Sequence, residues 1–321
     1  MNGQSVADAA LRAATHLVSQ RHGGMLTTFT FHRILRHIDP IMVGEPDVAL
    51  FAEILDWIDR QFQVLEPLDA CRRLSSGQLP PRAAAITFDD GYRSNLEFGV
   101  PLLRRHGMSA AIFVASDFVR GGTMFNDRVI HAIANSRIPM VSLDWLGPDP
   151  MPLDSDDARR HAAARVLNAV VYLPPAGRNE RVAQLLEVCG VAEPGQSMMN
   201  ADEIRRCVSA GITIGGHTRS HPLLSRLSPS DALDEIGGGR EELRAITGTD
   251  PLLFAYPNGR YGRDFSQAHC DIVKHCGFRF AFTTDIGWSS RRTDPFRLRR
   301  IAPWGTKRLR FGLQVLRVAG G

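Results

Sequence analysis

Ala84-Ala85-Ile86-Thr87-Phe88-Asp89-Asp90-Gly91-Tyr92 is a short apolar run that drives straight into two adjacent carboxylates and a glycine. Pro80-Pro81 before it and Gly91 after it bound the run, so it reads as a buried strand. Two neighbouring acids at the end of a strand repel each other, and one pKa rises unless a cation holds the other ionised. Such a pair serves chemistry when one acid binds a metal and the other handles protons. Asp-Asp-Gly is equally a good solvated turn. Taken alone, the stretch supports both readings, and the rest of the chain has to decide between them.

Strands and helices alternate on both sides of it. Upstream, residues 26–31 form a first strand rich in Thr and Phe that ends in His32-Arg33. Residues 46–62 have helical spacing, 62–65 are a short strand and 68–75 a second helix. Downstream, 94–105 read as a helix with Pro101 inside the pattern, and 110–114 as a strand. The alternation resumes with a helix over 200–211 and a strand over 212–214 that ends in Gly215-Gly216-His217. A helix follows from Ser228-Pro229 toward Thr247, then a strand over 252–255 leading into Tyr256-Pro257-Asn258-Gly259. A helix over 264–276, a strand over 280–283 ending in Thr284-Asp285, and a last strand over 298–301 complete the series. Seven or eight strands alternating with helices predict an α/β fold, its parallel sheet closed as a (β/α) barrel that is regular or distorted. Gly237-Gly238-Gly239 fall inside a predicted helix, where each costs roughly 1 kcal/mol relative to alanine; close packing is the one reason on offer.

Residues 120–200 differ. Helical stretches over 127–135, 155–172 and 179–189 are separated by Pro- and Gly-containing joints, with no strand of comparable quality. They read as a helical insertion in a single domain spanning 1–321, either shaping a substrate cleft or filling space between barrel elements.

Composition narrows the class. The chain has 321 residues, 44% of them hydrophobic and 22% charged, enough for a sizeable core and against global disorder. A net charge of +4 permits an anionic partner without demanding one; no nucleic-acid partner is expected. The five cysteines are odd in number and lack any CxxC spacing, so free thiols are expected rather than a disulfide framework. No run approaches the length of a membrane span, and residues 5–20 look like an ordinary amphipathic helix. A cytoplasmic location is the resulting expectation. The basic, apolar-interleaved tail over 306–318 is expected to be a terminal helix docked on its own domain, contact with an anionic membrane surface being the alternative.

The polar residues then fall into a pattern. His32, Asp89-Asp90, His217, the Pro257-Asn258-Gly259 turn and Asp285 each follow a predicted strand. In a barrel of parallel strands those points share the face that carries active sites. His217-Thr218-Arg219-Ser220-His221-Pro222 adds two histidines four apart that can reach one ion. Pro222 disfavours a helix at His221, so a loop must aim them. Two imidazoles and a carboxylate make a three-ligand set with open positions for water and substrate. No Glu follows the first histidine, so a helical metalloprotease site is not supported.

Thr87-Phe88-Asp89-Asp90-Gly91, His217-Thr218-Arg219-Ser220-His221 and Phe254-Ala255-Tyr256-Pro257-Asn258-Gly259 resemble, in order, the first three motifs of the polysaccharide deacetylases, the family of the NodB homology domain (carbohydrate esterase family 4). The resemblance covers roughly residues 26–119 and 200–302. It implies that Asp89 is the general base and that Asp90, His217 and His221 hold a divalent metal, zinc first, with Co2+, Ni2+ or Fe2+ as alternatives. It implies that the backbone N–H of Asn258, where the family usually has tyrosine, helps hold the oxyanion. The family's arginine two before the proline is replaced by Ala255, which leaves the partner of Asp89 unassigned, and no histidine follows His275 to serve as the late acid. His32 resembles instead the acid of the exopolysaccharide N-deacetylase subgroup, which comes from the N-terminal strand. Asp285 and Trp288 match a fourth motif loosely; Trp288 would stack on a sugar ring or simply be buried. The expected activity is metal-dependent removal of N-acetyl groups from an amino-sugar-containing polysaccharide, oligosaccharide or lipid-linked sugar. Hydrolysis of another non-peptide C–N bond, and a non-catalytic carbohydrate-binding protein, are the alternatives.

Overall fold

The computed structural model describes residues 24–303. The helix expected over 5–20 and the basic helix expected over 306–318 lie outside the described residues. The strands are β1 (Met25–Phe31), β2 (Gln63–Val64), β3 (Ala83–Phe88), β4 (Ala111–Val114), β5 (Met140–Val141), β6 (Met151–Pro152), β7 (Thr213–Gly216), β8 (Leu253–Ala255), β9 (Phe280–Ile286), β10 (Ser289–Ser290) and β11 (Leu298–Arg300). The helices are α1 (Val48–Gln61), α2 (Pro67–Ser76), α3 (Val100–Arg105), α4 (Phe125–Asn135), α5 (Asp156–Val170), α6 (Pro175–Cys189), α7 (Ala201–Ser209), α8 (Pro229–Leu233), α9 (Gly239–Thr247) and α10 (Gln267–His275). Among the described residues no helix is long and apolar enough to cross a membrane.

Parallel pairing runs β1-β3-β4-β7-β8-β9-β11, and the sheet nearly closes on itself as a (β/α) barrel. Closure comes from Ile301, which bridges to Phe29: Thr30 N–H donates to the Ile301 carbonyl at 3.0 Å, and Ile301 N–H to the Thr28 carbonyl at 2.8 Å. The short β10 adds an antiparallel rung to β1, and β2 lies beside the start of β3.

Successive residues of a strand face opposite sides, and β3 shows what each side buries. Ala83 and Ala85 join Leu26, Ala111, Phe113, Leu253, Ala255, Phe282 and Leu298 in the barrel interior. Small side chains on β3 leave room for Phe113 and Phe282, whose ring centroids are 5.5 Å apart. A Cβ at Gly215 would sit 2.5 Å from the Phe113 ring, so β7 must be glycine there. The alternate residues Ala84, Ile86 and Phe88 face outward and meet the helices. Helix α1 starts where the Asp47 carboxylate accepts the Leu50 N–H at 2.8 Å, and it buries Phe51, Ile54, Leu55 and Ile58, the i, i+3, i+4, i+7 face. Each such side chain contributes about 1.5–3 kcal/mol on burial.

Two expected helices are interrupted. Residues 94–105 begin as a π turn, Asn95–Gly99, before α3, which places Pro101 in the first turn, where its missing N–H needs no partner. Residues 228–247 are α8 and α9 separated by a π turn, Asp234–Gly238. Helices α4, α5 and α6, with the β5–β6 hairpin, share an apolar cluster of their own that includes Val129, Ile133, Val166, Val170, Val182 and Leu185. Asp285 does not follow a strand as expected: β9 runs on through Ile286, and Asp285 lies within it, beside a separate polar cavity of about 470 Å³ that also touches Tyr261 and Trp288.

Candidate active site

The site sits at the carboxyl ends of the strands. Asp89 follows β3, and its N–H continues the ladder by donating to the Phe31 carbonyl at 2.9 Å, which sets it beside His32 at the end of β1. Asp90 and Gly91 then turn sharply through the left-handed region, with φ of 74° and 88°. Asp is one of the few side-chain-bearing residues that tolerates this, and a Cβ on Gly91 would lie only 3.2 Å from Val114.

The partner missing at Ala255 comes from the far end of the chain. Arg300, the last residue of β11, donates Nη1 and Nη2 to the two carboxylate oxygens of Asp89 at 2.6 and 2.8 Å. Its Nε donates to the Thr283 carbonyl at 2.8 Å, so the guanidinium is fixed on both sides. Both side chains are buried. Burial works against ionisation of Asp89, but the charge and hydrogen bonds of Arg300, with His217 nearby, hold the carboxyl below the usual carboxylate range. The sequence carries a signal for this: Leu298 and Ile301 are apolar and Arg299 is exposed, so strand alternation turns Arg300 to the same inner face as Leu298. A charge on an inward strand position marks a partner waiting there.

His217 follows β7, and its N–H donates to the Val114 carbonyl at 3.1 Å. Its Nδ1 lies 2.7 Å from the Ala255 carbonyl, an oxygen that only accepts, so the ring proton is on Nδ1 and Nε2 presents a lone pair. That Nε2 is 3.4 Å from Asp90 Oδ1, and His221 Nε2 is 3.5 Å from the same oxygen. One ligand atom from each of Asp90, His217 and His221 lies within 4.8 Å of the others. Lone pairs converging on one carboxylate in a buried site call for a cation, and the donor set suits a divalent ion. Burial opposes charge on Asp90, yet the surrounding imidazoles of His217, His221 and His32 pull its carboxyl well below the ordinary range. Burial, against the pull of Asp90, pushes His221 down to about 4, the neutral form a ligand needs. For His217, burial is outweighed by Asp90 and Asp89, which draw its pKa upward.

The loop that aims the histidines is strained and propped. Thr218 and His221 have φ of 64° and 55°, unusual for residues with a side chain and most of all for a β-branched one. Glu235, in the π turn, accepts the Arg219 and Ser220 N–H groups, both at 2.9 Å, and the Ser220 hydroxyl at 2.6 Å. The triple glycine belongs to the same support. A Cβ at Gly239 would be 3.0 Å from the Thr218 carbonyl oxygen, and one at Gly238 would be 3.0 Å from Arg219 Cδ. Helix α9 therefore carries its glycine penalty so that the loop can lie directly on it.

Asn258 follows β8 in a left-handed turn, φ 56°, and is exposed. Its carbonyl accepts the Thr284 hydroxyl, and Thr284 N–H donates to the Gly259 carbonyl at 2.8 Å, tying the turn to β9. His32 is half exposed at the rim, its Nδ1 3.9 Å from Glu45, and close enough that its charge acts on both Asp89 and Asp90. The structure thus gathers Asp90, His217 and His221 into one cluster, sets Asp89 and His32 side by side on adjoining strands, and leaves Asp285 within β9. A cavity of about 580 Å³ opens beside His221 and is walled by Asp117, Thr123, Arg128, Pro175, Arg178 and Asn179.

Comparison with known proteins agrees with this geometry. The family model for polysaccharide deacetylase matches residues 76–138 and 191–281, leaving out α5 and α6 entirely. A Bacillus subtilis (strain 168) protein, YxkH, itself assigned to the polysaccharide deacetylases, is 20% identical over 253 residues, 78% of this chain and 63% of its own length. The peptidoglycan-N-acetylmuramic acid deacetylase PdaC of the same organism is 35% identical over 69 residues, 21% of this chain and 15% of its own. The chain thus spans less than two thirds of these curated relatives. Among solved structures, Streptococcus pyogenes deacetylase PplD in complex with acetate superposes with a TM-score of 0.59 at 17% identity, covering 91% of this chain and 98% of that one. IcaB from Ammonifex degensii gives 0.57 at 18%, covering 92% and 97%. With the motifs and the barrel, the match identifies residues 76–138 and 191–281 as a polysaccharide deacetylase domain.

Proposed function

We propose that the protein is a metal-dependent hydrolase that removes the acetyl group from an N-acetylated amino sugar, within one catalytic domain into which the helices of 120–200 are inserted. The observation that carries this reading is the three-ligand cluster of Asp90, His217 and His221 next to a separately held Asp89. Asp90, His217 and His221 would hold the ion, zinc by preference. When bound, a divalent ion polarises a carbonyl and makes water more acidic.

The chain's own residues divide the remaining work. Asp89, kept ionised and oriented by Arg300, takes a proton from the water that attacks the acetamide carbon. Asn258 presents its backbone N–H toward the oxygen on which negative charge develops. His32 delivers a proton to the nitrogen as the C–N bond breaks, so acetate and a free amine leave. A histidine at the end of β1 supports the exopolysaccharide N-deacetylase subgroup, because β1 and β11 meet through Phe29 and Ile301 and a proton donor can reach the centre from that side.

The test is acetate release from N-acetylglucosamine oligomers and from lipid-linked amino sugars by zinc- or cobalt-loaded protein. Release from an acetylated sugar is the expected result. Amine release from simple amides with none from sugars would overturn the sugar assignment, and sugar binding without any hydrolysis would make this a binding protein.

A further inference from the structure

Arg178 is a buried cation without an ion-pair partner among the described residues. It lies in the first turn of α6, is 5% exposed, and packs its guanidinium 4.2 Å over the Phe125 ring. Its Nε is shielded from solvent without a hydrogen bond. A buried, unpaired cation is costly to keep. The other charges around the same cavity are matched: Arg128 donates Nε to Glu193 at 2.8 Å, and Asp117 lies 3.3 Å from Arg219. Glu235 acts on Arg178 only from beyond ion-pair distance, and its carboxylate already accepts the Arg219 and Ser220 N–H groups, so Arg178 brings a positive charge with no close partner to a space of about 580 Å³ that also reaches His221.

A second feature points the same way. Pro174 caps α6 without a side-chain hydrogen bond, and Pro175 and Arg178 of its first turn, with Asn179 next in sequence, line the cavity. An uncapped N-terminus of a 15-residue helix favours negative charge.

We propose that this cavity is an anion subsite of the active site, in which Arg178, aided by the positive end of the α6 dipole, binds a carboxylate or phosphate carried by the sugar substrate. The proposal rests on the deacetylase reading and narrows it to acidic amino sugars or amino sugars joined to phosphate. The inserted helices then act in substrate selection, because they bring to the metal cluster a specificity-determining residue that the barrel lacks. The carboxylate and the phosphate share the same fork-shaped recognition by guanidinium.

The experiment compares wild type with Arg178→Lys, Arg178→Gln and Arg178→Met. Substrates are N-acetylglucosamine oligomers, the same sugar bearing a phosphate, and an N-acetylated amino uronate. Wild type should favour one anionic sugar over the neutral one by at least about tenfold in kcat/KM; that ratio should fall toward one in the Gln and Met variants and survive in part in Lys. Whichever anionic arm shows the preference identifies the group. Thermal unfolding supplies a readout free of turnover: the preferred anionic sugar, and inorganic phosphate if the phosphate arm wins, should raise the melting temperature of wild type but not of Arg178→Gln. No acetate from any sugar, with the anion-dependent rise intact, would sink the deacetylase reading and leave the subsite standing. Acetate release with the same ratio in wild type and Arg178→Gln would overturn the subsite alone. So would a lower melting temperature in Arg178→Met with preference unchanged, since that marks Arg178 as packing support for Phe125.

Discussion

Arg300 and Asp89 are 211 residues apart in the chain and meet as a buried, two-point ion pair, with N–O distances of 2.6 and 2.8 Å. The strand order explains the meeting. Closing the barrel through Ile301 brings the end of β11 against β1, and β1 lies beside β3. The arginine that the third motif lacks at Ala255 is thus replaced from a different strand, at the other end of the chain.

Removing one member of such a pair leaves the other charge buried and uncompensated, which costs roughly 3–5 kcal/mol. Arg300→Met is therefore expected to lower stability by about that amount in urea unfolding, and Arg300→Met combined with Asp89→Asn to recover much of it. If the double variant is no more stable than Arg300→Met, the pair does not hold the fold in this way.

The same pair sets a pH dependence. Asp89 has a folded pKa below its unfolded value of about 3.9, so its contribution to stability is present above that value and is lost as pH falls through the folded one. As a base it must be ionised, so the acid limb of kcat/KM in the wild type belongs at or below the ordinary carboxylate range. With Arg300→Met, burial is no longer offset and the pKa rises. The acid limb should move up by at least about one unit, each unit being about 1.4 kcal/mol. An acid limb that stays in place in Arg300→Met would remove Asp89 from the role of base.

Much of this is legible in the sequence. The strand-end pattern brings His32, Asp89-Asp90, His217 and the Pro257 turn to one face because period and punctuation are local signals. Pro222 excludes a helix at His221, and that residue indeed has φ 55°. The role of Arg300 is not legible in the same way, because it depends on barrel closure, which no local window reports; the alternation of Leu298, Arg299 and Arg300 is the available clue. Asp285 departs from expectation because Thr284-Asp285 looks like a turn, whereas tertiary pairing with β11 carries β9 through Ile286. The glycines over 237–239 look like a flaw in a helix from the sequence alone; in the fold Arg219 and Thr218 lie directly on Gly238 and Gly239, and Gly237 faces Cys276.

Glu235 supports the ligand loop without being part of the cluster. Its two backbone contacts and the Ser220 hydroxyl hold Arg219 and Ser220 between the two histidines. Losing an outer support of this kind typically weakens a metal by about 10–100-fold. Glu235→Ala is expected to need that much more zinc for half-occupancy in a competition titration, whereas His217→Ala should hold less than one equivalent at any accessible concentration. Zinc affinity in Glu235→Ala equal to wild type would show that the strained loop keeps its shape unaided.

His32 offers the cleanest separation of proton transfer from metal binding, since it is half exposed at the rim and outside the Asp90, His217 and His221 cluster. General acid catalysis is typically worth about 10²–10⁴-fold. In His32→Ala, turnover on an N-acetylated sugar should fall within that range while bound zinc, measured by elemental analysis, stays at the wild-type level. Because the side chain is accessible, added imidazole should restore part of the lost rate. A substrate with a better leaving group than an alkyl amine needs less help from an acid, so the defect should shrink on an acetylated aryl amine. Equal defects on both substrates would point to a positioning role through Glu45 instead, and unchanged turnover in His32→Ala would place the acid at another of the strand ends.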